Sequence, residues 1–139
     1  MRIAILACGR AGTSPEADLV ARYVARLPWE TRVVEIDGPQ AVPPPPPRGR
    51  SIVLDRRGEP LSSEAFARRI GCWRDSGVRE LRFLIGPHDG WPETIRAGAD
   101  LVLSFGPATW PHLLVRAMLA EQLFRAAAIL SGHPYHRAG

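Results

Sequence analysis

Three short stretches concentrate the side chains that could do chemistry. GPHDGWP, residues 86–92, sets His88 and Asp89 between Gly86 and Gly90, and glycine lets a backbone approach a ligand closely. FGPATWP, residues 105–111, places Phe105 and Trp110 around a Gly-Pro turn. An exposed aromatic beside backbone N–H groups suits a purine ring. His112 and Arg116 follow, four residues apart and so on one helix face. HPYHR, residues 133–137, gathers His133, Tyr135, His136 and Arg137, types that stack on bases and bind phosphates. Each stretch also has a plainer reading: a glycine turn after a strand, a core tryptophan, a tail. Glu121 and Arg125, four apart, read as a structural helix pair.

Several chemistries lack their signatures. No loop carries G-K-[ST] or G-x-G-x-x-G, and no nucleophile elbow argues for hydrolysis. His133 and His136 have no third ligand near them in sequence, so no metal is expected. Cys8 and Cys72 are far apart and read as buried thiols. All 18 basic residues are arginine and the net charge is +4, a balance that favours a polyanionic partner. No apolar run approaches the ~20 residues that span a bilayer, so no membrane is expected. The opening MRIAILACGRAG reads as a first strand and not a signal peptide. The chain is therefore expected to be cytoplasmic, with its 139 residues forming one domain.

The elements that must position these residues alternate strand and helix. Apolar runs predict strands at Ile3–Ala7, Arg32–Ile36, Ile52–Leu54, Leu81–Ile85 and Leu101–Ser104. Ser14 as cap and Pro15 at the first position open a helix that Pro28 ends. Ser62 or Ser63 caps another, with Phe66, Ile70 and Trp73 on one face and Gly77 at its end. A short helix is expected over Pro92–Ala97 and a long one from about Pro111 to Leu130. Pro43 to Pro47 can only be an extended connector. The fold class that follows is α/β, a mostly parallel sheet flanked by helices. Ligands of such sheets sit beyond the carboxyl ends of the strands, which selects four loops: Gly9–Thr13, Asp55–Pro60, Gly86–Pro92 and Phe105–Trp110.

The chain resembles the ribosomal RNA large subunit methyltransferase H family, small knotted members of the SPOUT methyltransferase superfamily. LIGPHDG, LVLSFGPATWPHLLVRAMLAEQLFRA and GHPYHR carry the resemblance, with VLDRRGEPLSSEAFA and MRIAILACGR upstream. It implies a C-terminal trefoil knot that binds S-adenosylmethionine, and a homodimer. It also implies methylation of ring nitrogen three of a pseudouridine in large-subunit (23S) rRNA, on the assembled ribosome. By position, it implies cofactor contacts at Leu54, Gly86, Phe105, Gly106, Pro107, Ala108, Thr109 and Trp110. Substrate handling falls on the tail, at His133 and Tyr135. Arg116, His136 and Arg137 are the catalytic candidates, as donors to the ring carbonyls or, for the histidine, as proton acceptor. Two features depart from the family pattern: Gly86-Pro87 stands where Gly-Gly is usual, and the proline run replaces a charged helix. The alternative is a non-catalytic RNA- or ribosome-binding protein that keeps the fold.

Overall fold

In the computed structural model, which describes residues 1–138 and the side chains of residues 1–136, β1 (Arg2–Cys8) is an inner strand of the sheet. Its residues Ile3 to Cys8 are all buried, as expected of a strand covered on both faces. Ten-residue α1 (Pro15–Val24) follows, with Ser14 Oγ accepting from Ala17 N–H at 3.2 Å. Then come β2 (Glu30–Ile36), β3 (Gly49–Glu59), α2 (Ser63–Asp75), β4 (Glu80–Ile85), α3 (Glu93–Ala97), β5 (Leu101–Leu103), α4 (His112–Ser131) and α5 (Tyr135–Ala138). The sheet runs β2-β1-β4-β3-β5 and every pairing is parallel. The expected α/β class is what forms.

Helices α1, α2 and α4 share one face of the sheet. Ile3, Ile5, Leu81, Phe83 and Ile52 meet Phe66 and Ile70 of α2 and Leu119 and Leu123 of α4 there. Ala117 and Ala120 on another side of α4 pack on Val20 of α1. A helix enclosed on several sides needs no polar stripe, which accounts for the Leu- and Ala-rich run of α4. The opposite face is thinner. Cys8, Val53, Leu84 and Trp91 are buried there, with Val42, Ile36 and Ile95 against them.

The proline connector follows from geometry. Residues 37–48 must return from the end of β2 to the start of β3, three strands away in the sheet. With strands roughly 4.8 Å apart and about 20 Å long, that path is about 25 Å. A helix of that length would reach only about 18 Å, whereas polyproline at ~3.1 Å per residue spans the gap. A single 3-10 turn, Pro39–Ala41, precedes the prolines. Arg82, 7% exposed on β4, pins the segment by donating Nη1–H to the Pro43 carbonyl and Nε–H to Ser51 Oγ at 2.8 Å.

Three expectations change. β3 continues to Glu59 instead of stopping at Leu54, so much of the expected Asp55–Pro60 loop is strand. Its polar DRRGE end hides it from apolar patterning, and it pairs again with β5 only after a register shift between Leu54 and Glu59. Cys72 is exposed, not buried, because it lies two residues beyond Ile70 and so about 200° round α2. The first helix stops at Val24, a turn before Pro28. Arg82→Ala leaves the Pro43 carbonyl and Ser51 hydroxyl without their buried donor. It should lower unfolding free energy by about 2 kcal/mol, read as the midpoint of urea denaturation.

Candidate functional site

The carboxyl ends of β3, β4 and β5 and the first turn of α4 enclose a cleft of about 340 Å³, a volume that fits a small ligand. Its wall is aliphatic at Leu54, Ile85, Leu103 and Val115 and aromatic at Phe105 and Trp110. Trp110 is exposed, with its indole N–H given to the Phe105 carbonyl at 3.3 Å. Gly106 at φ +101 turns the loop in a conformation that favours glycine. Ser104 Oγ secures the turn, accepting from Gly106 N–H at 3.0 Å and donating to the Arg56 carbonyl at 3.1 Å. Arg56 Nη1–H in turn reaches Thr109 Oγ1 at 3.3 Å.

The polar side of the cleft is a clasp. Arg57 grips the Asp55 carboxylate with Nε–H at 2.8 Å and Nη2–H at 2.7 Å, a forked pair. The Asp55 side chain is only 3% exposed. The Arg57 hydrogen bonds hold its carboxyl down at about 2. Arg57 Nη2–H also reaches the Trp91 carbonyl at 3.4 Å, and Arg96 Nε–H reaches the same oxygen at 3.2 Å. The end of β3 is thereby tied to the loop after β4. Trp91 is buried, and its indole rests directly on Gly86. A β-carbon at Gly86 would overlap the indole nitrogen and lie 2.7 Å from Cδ1 and 2.8 Å from Cε2, so only glycine fits there.

The structure brings most of the expected contacts together. Leu54, Gly86, Phe105, Gly106, Ala108, Thr109 and Trp110 all line the cleft. Pro107 sits exposed in the same loop but does not line it. Arg116 lies elsewhere. Its guanidinium is sunk at 3% exposure and donates to Cys8 O at 3.2 Å, Gly9 O at 3.0 Å and Glu35 Oε2 at 2.7 Å. That contact, foremost, holds the Glu35 carboxyl below its usual range.

The tail folds back on the distal half of α4. Tyr135 Oη donates to Glu121 Oε2 at 2.9 Å, and its ring meets Phe124 edge-on with centroids 4.6 Å apart. Burial, with Tyr23 and Glu121 nearby, pushes the Tyr135 hydroxyl up to about 12. His136 Nε2 lies 2.7 Å from Glu64 of α2 and Nδ1 3.3 Å from Arg125 Nη1. His133 is exposed and accepts the Tyr135 N–H at Nδ1, 3.1 Å away. None of these three lines the cleft, and the side chain of Arg137 lies outside the described residues. The expected Glu121–Arg125 pair forms at 2.8 Å and also anchors the tail.

Sequence reasoning missed Asp55, Arg57, Trp91 and His112 as residues of the cleft. The loops of Asp55, Arg57 and Trp91 are among those the sequence selects, and His112 is named there with Arg116, but nothing in DRRG or GPHDGW announces a clasp. Among the described residues, no group of His, Cys, Asp and Glu could hold a metal ion, and no helix is long and apolar enough to cross a membrane.

The clasp has a pH signature. An ordinary Asp titrates near ~3.9 in an unfolded chain, and Asp55 titrates at about 2 when folded. The pair therefore stabilises the fold fully above about pH 5, and the contribution fades as pH falls towards 2. Asp55→Asn should cost about 1–2 kcal/mol at pH 7, reduced from the full shift because Arg57 is half exposed. The gap to the parent chain should narrow below pH 4, fall to about a third of its neutral-pH size by pH 2.5 and close only below pH 2, measured by urea unfolding across that range.

Comparison with known proteins gives a consistent result. The family model described as predicted SPOUT methyltransferase matches residues 1–136. A protein of Rhizorhabdus wittichii named ribosomal RNA large subunit methyltransferase H is 56% identical over the full length of both chains. The proteins of the same name from Zymomonas mobilis and Rhodospirillum centenum are 53% and 46% identical, covering 99–100% of this chain and 100% of theirs. Matched end to end at about half its positions, and lined at its cleft by the residues the sequence motifs single out, this chain belongs to the ribosomal RNA large subunit methyltransferase H family of SPOUT methyltransferases.

Proposed function

We propose that this protein transfers the methyl group of S-adenosylmethionine to ring nitrogen three of a pseudouridine in large-subunit rRNA, on the assembled ribosome. The observation that carries the reading is the cleft beyond β3, β4 and β5, whose walls are the cofactor positions that the family resemblance implies. The donor set fits that cofactor. Phe105, Trp110 and the aliphatic wall suit a flat adenine ring, loop backbone groups suit its polar edge, and the buried indole N–H of Trp91 has no acceptor in the protein. When bound, the cofactor supplies a methyl group on a sulfonium centre, already activated for displacement.

The rest is positioning and charge. Leu54, Gly86 and residues 105–110 hold the cofactor and exclude water from one side, and orientation of this kind is worth about 7–11 kcal/mol of barrier. The ring N–H must lose its proton, and the anion spreads onto two flanking carbonyl oxygens. Donors beside those oxygens stabilise it. His136 and Arg137 take that role in our reading, with His133 and Tyr135 contacting the RNA. Arg116 is a positioning residue, since Nη1 is held by Glu35 and Nη2 by the Cys8 and Gly9 carbonyls.

The tail lies far along α4 from the cleft of its own chain, so a second copy supplies it. A groove of about 610 Å³ between α1 and α4 supports this homodimer. It is lined by Leu19, Leu114 and Met118, and it shares Leu103, Phe105 and Gly106 with the cleft. A chain seated there abuts the loop that walls the cofactor site. The C-terminal trefoil knot belongs to this reading through the family match. We read the protein as cytoplasmic because its proposed substrate is the ribosome, a polyanionic partner that the net charge of +4 suits.

Labelled methyl should pass from S-adenosylmethionine to intact ribosomes lacking the modification, and not to free rRNA or transfer RNA. Label that maps to a pseudouridine establishes the reaction. Absence of label on every RNA, with no cofactor binding, would establish the non-catalytic RNA binder instead. His136→Ala and Arg137→Ala should each cut transfer at saturating cofactor by about 10²-fold. Full transfer by both removes them from the site. Sedimentation at micromolar concentration should give a dimer.

A further inference from the structure

We infer that Trp91 contacts the cofactor, its indole N–H serving as a hydrogen-bond donor to an acceptor on the bound S-adenosyl group. This rests on the cofactor reading above and adds a residue that neither the motifs nor the family resemblance supplies. Trp91 is 2% exposed, yet it lines the cleft, and its Nε1 is a buried polar atom with no partner in the protein. A buried indole N–H ordinarily finds an acceptor. The other tryptophan at the cleft, the exposed Trp110, has one in the Phe105 carbonyl.

The surroundings show a side chain held in place with its N–H buried and unpartnered. The body of the Trp91 ring is buried with Cys8, Val53 and Leu84 on the thin face of the sheet. Its Nε1 edge lies at the end of β4, packed against Gly86, where any β-carbon would displace it. Its carbonyl is held twice, by Arg57 and by Arg96, and its backbone N–H faces the Asp55 carboxylate. Asp55 and Arg57 are thus positioning residues for the indole. The acceptors an S-adenosyl group offers are ring nitrogens, ribose hydroxyls and a carboxylate.

The test is calorimetric titration of the full chain with S-adenosylhomocysteine, beside Trp91→Phe, which keeps the ring and removes the N–H. The variant should bind about 5- to 10-fold more weakly, the loss of one hydrogen bond. Affinity within twofold of the parent overturns the inference. 5′-Methylthioadenosine, which has no carboxylate, locates the acceptor. A penalty that persists puts it on the nucleoside, and one that disappears puts it on the amino-acid end. The indole N–H resonance of Trp91, identified among the four tryptophans by its loss in the variant, should move downfield when the ligand is added. If the variant does not fold, the resonance is assigned in the parent chain by its through-space contact with Gly86, and an unmoved signal overturns the inference. Absence of binding by the parent chain sinks the cofactor reading and this one together, whereas binding undisturbed by the variant sinks this one alone.

Discussion

The buried guanidinium of Arg116 sets the geometry of the carboxyl edge of the sheet. It joins the first turns of α4 to the last carbonyls of β1 and to Glu35 of β2. A charge taken out of water at this cost is retained only with partners in place, so α4 has one seat against the strands. The loop from Phe105 to Pro111 spans from β5 to that seat. Its Gly-Pro turn, its tied-back Trp110 and its shared wall with the cleft all follow from where α4 starts. Leu119 and Leu123, wholly buried deeper in the helix, provide the apolar adhesion that keeps the seat occupied.

The two faces of the sheet serve different ends. One is thick, with three helices and a continuous apolar core. The other is thin, covered by the connector, α3 and Trp91. Thinness is workable because Arg82 ties the connector down through its Pro43 carbonyl, and because prolines lose little entropy when held extended. It also lets the edge of a single side chain, Trp91, reach from the core of that face to the cleft.

The cleft and the tail network occupy opposite ends of α4. Glu121 is the joint of the network, meeting Arg125 and Tyr135 at once. Through His136 and Glu64 the same network ties the tail to α2. The tail is therefore folded against α4 and α2 of its own chain.

The sequence by itself determined the layered α/β plan. Strands buried on both faces read as apolar runs, unbroken at Ile3–Cys8 and interrupted by Arg82 alone at Leu81–Ile85, and caps such as Ser14-Pro15 are local events between neighbours in the chain. It also marked three of the loops at the cleft, since their glycines, prolines and aromatics depart from the regular pattern. Tertiary structure alone decided the rest. The polar end of β3 becomes strand only because β5 offers it a partner after a register shift. Asp55 and Arg57 look like surface charges until Trp91 comes against them, 34 residues away in sequence. Arg116 shares a helix face with His112, yet it turns towards β1 carbonyls more than 100 residues distant. Periodicity reports which side of an element is apolar. Which polar atoms will find one another depends on long-range packing, and no local pattern encodes it.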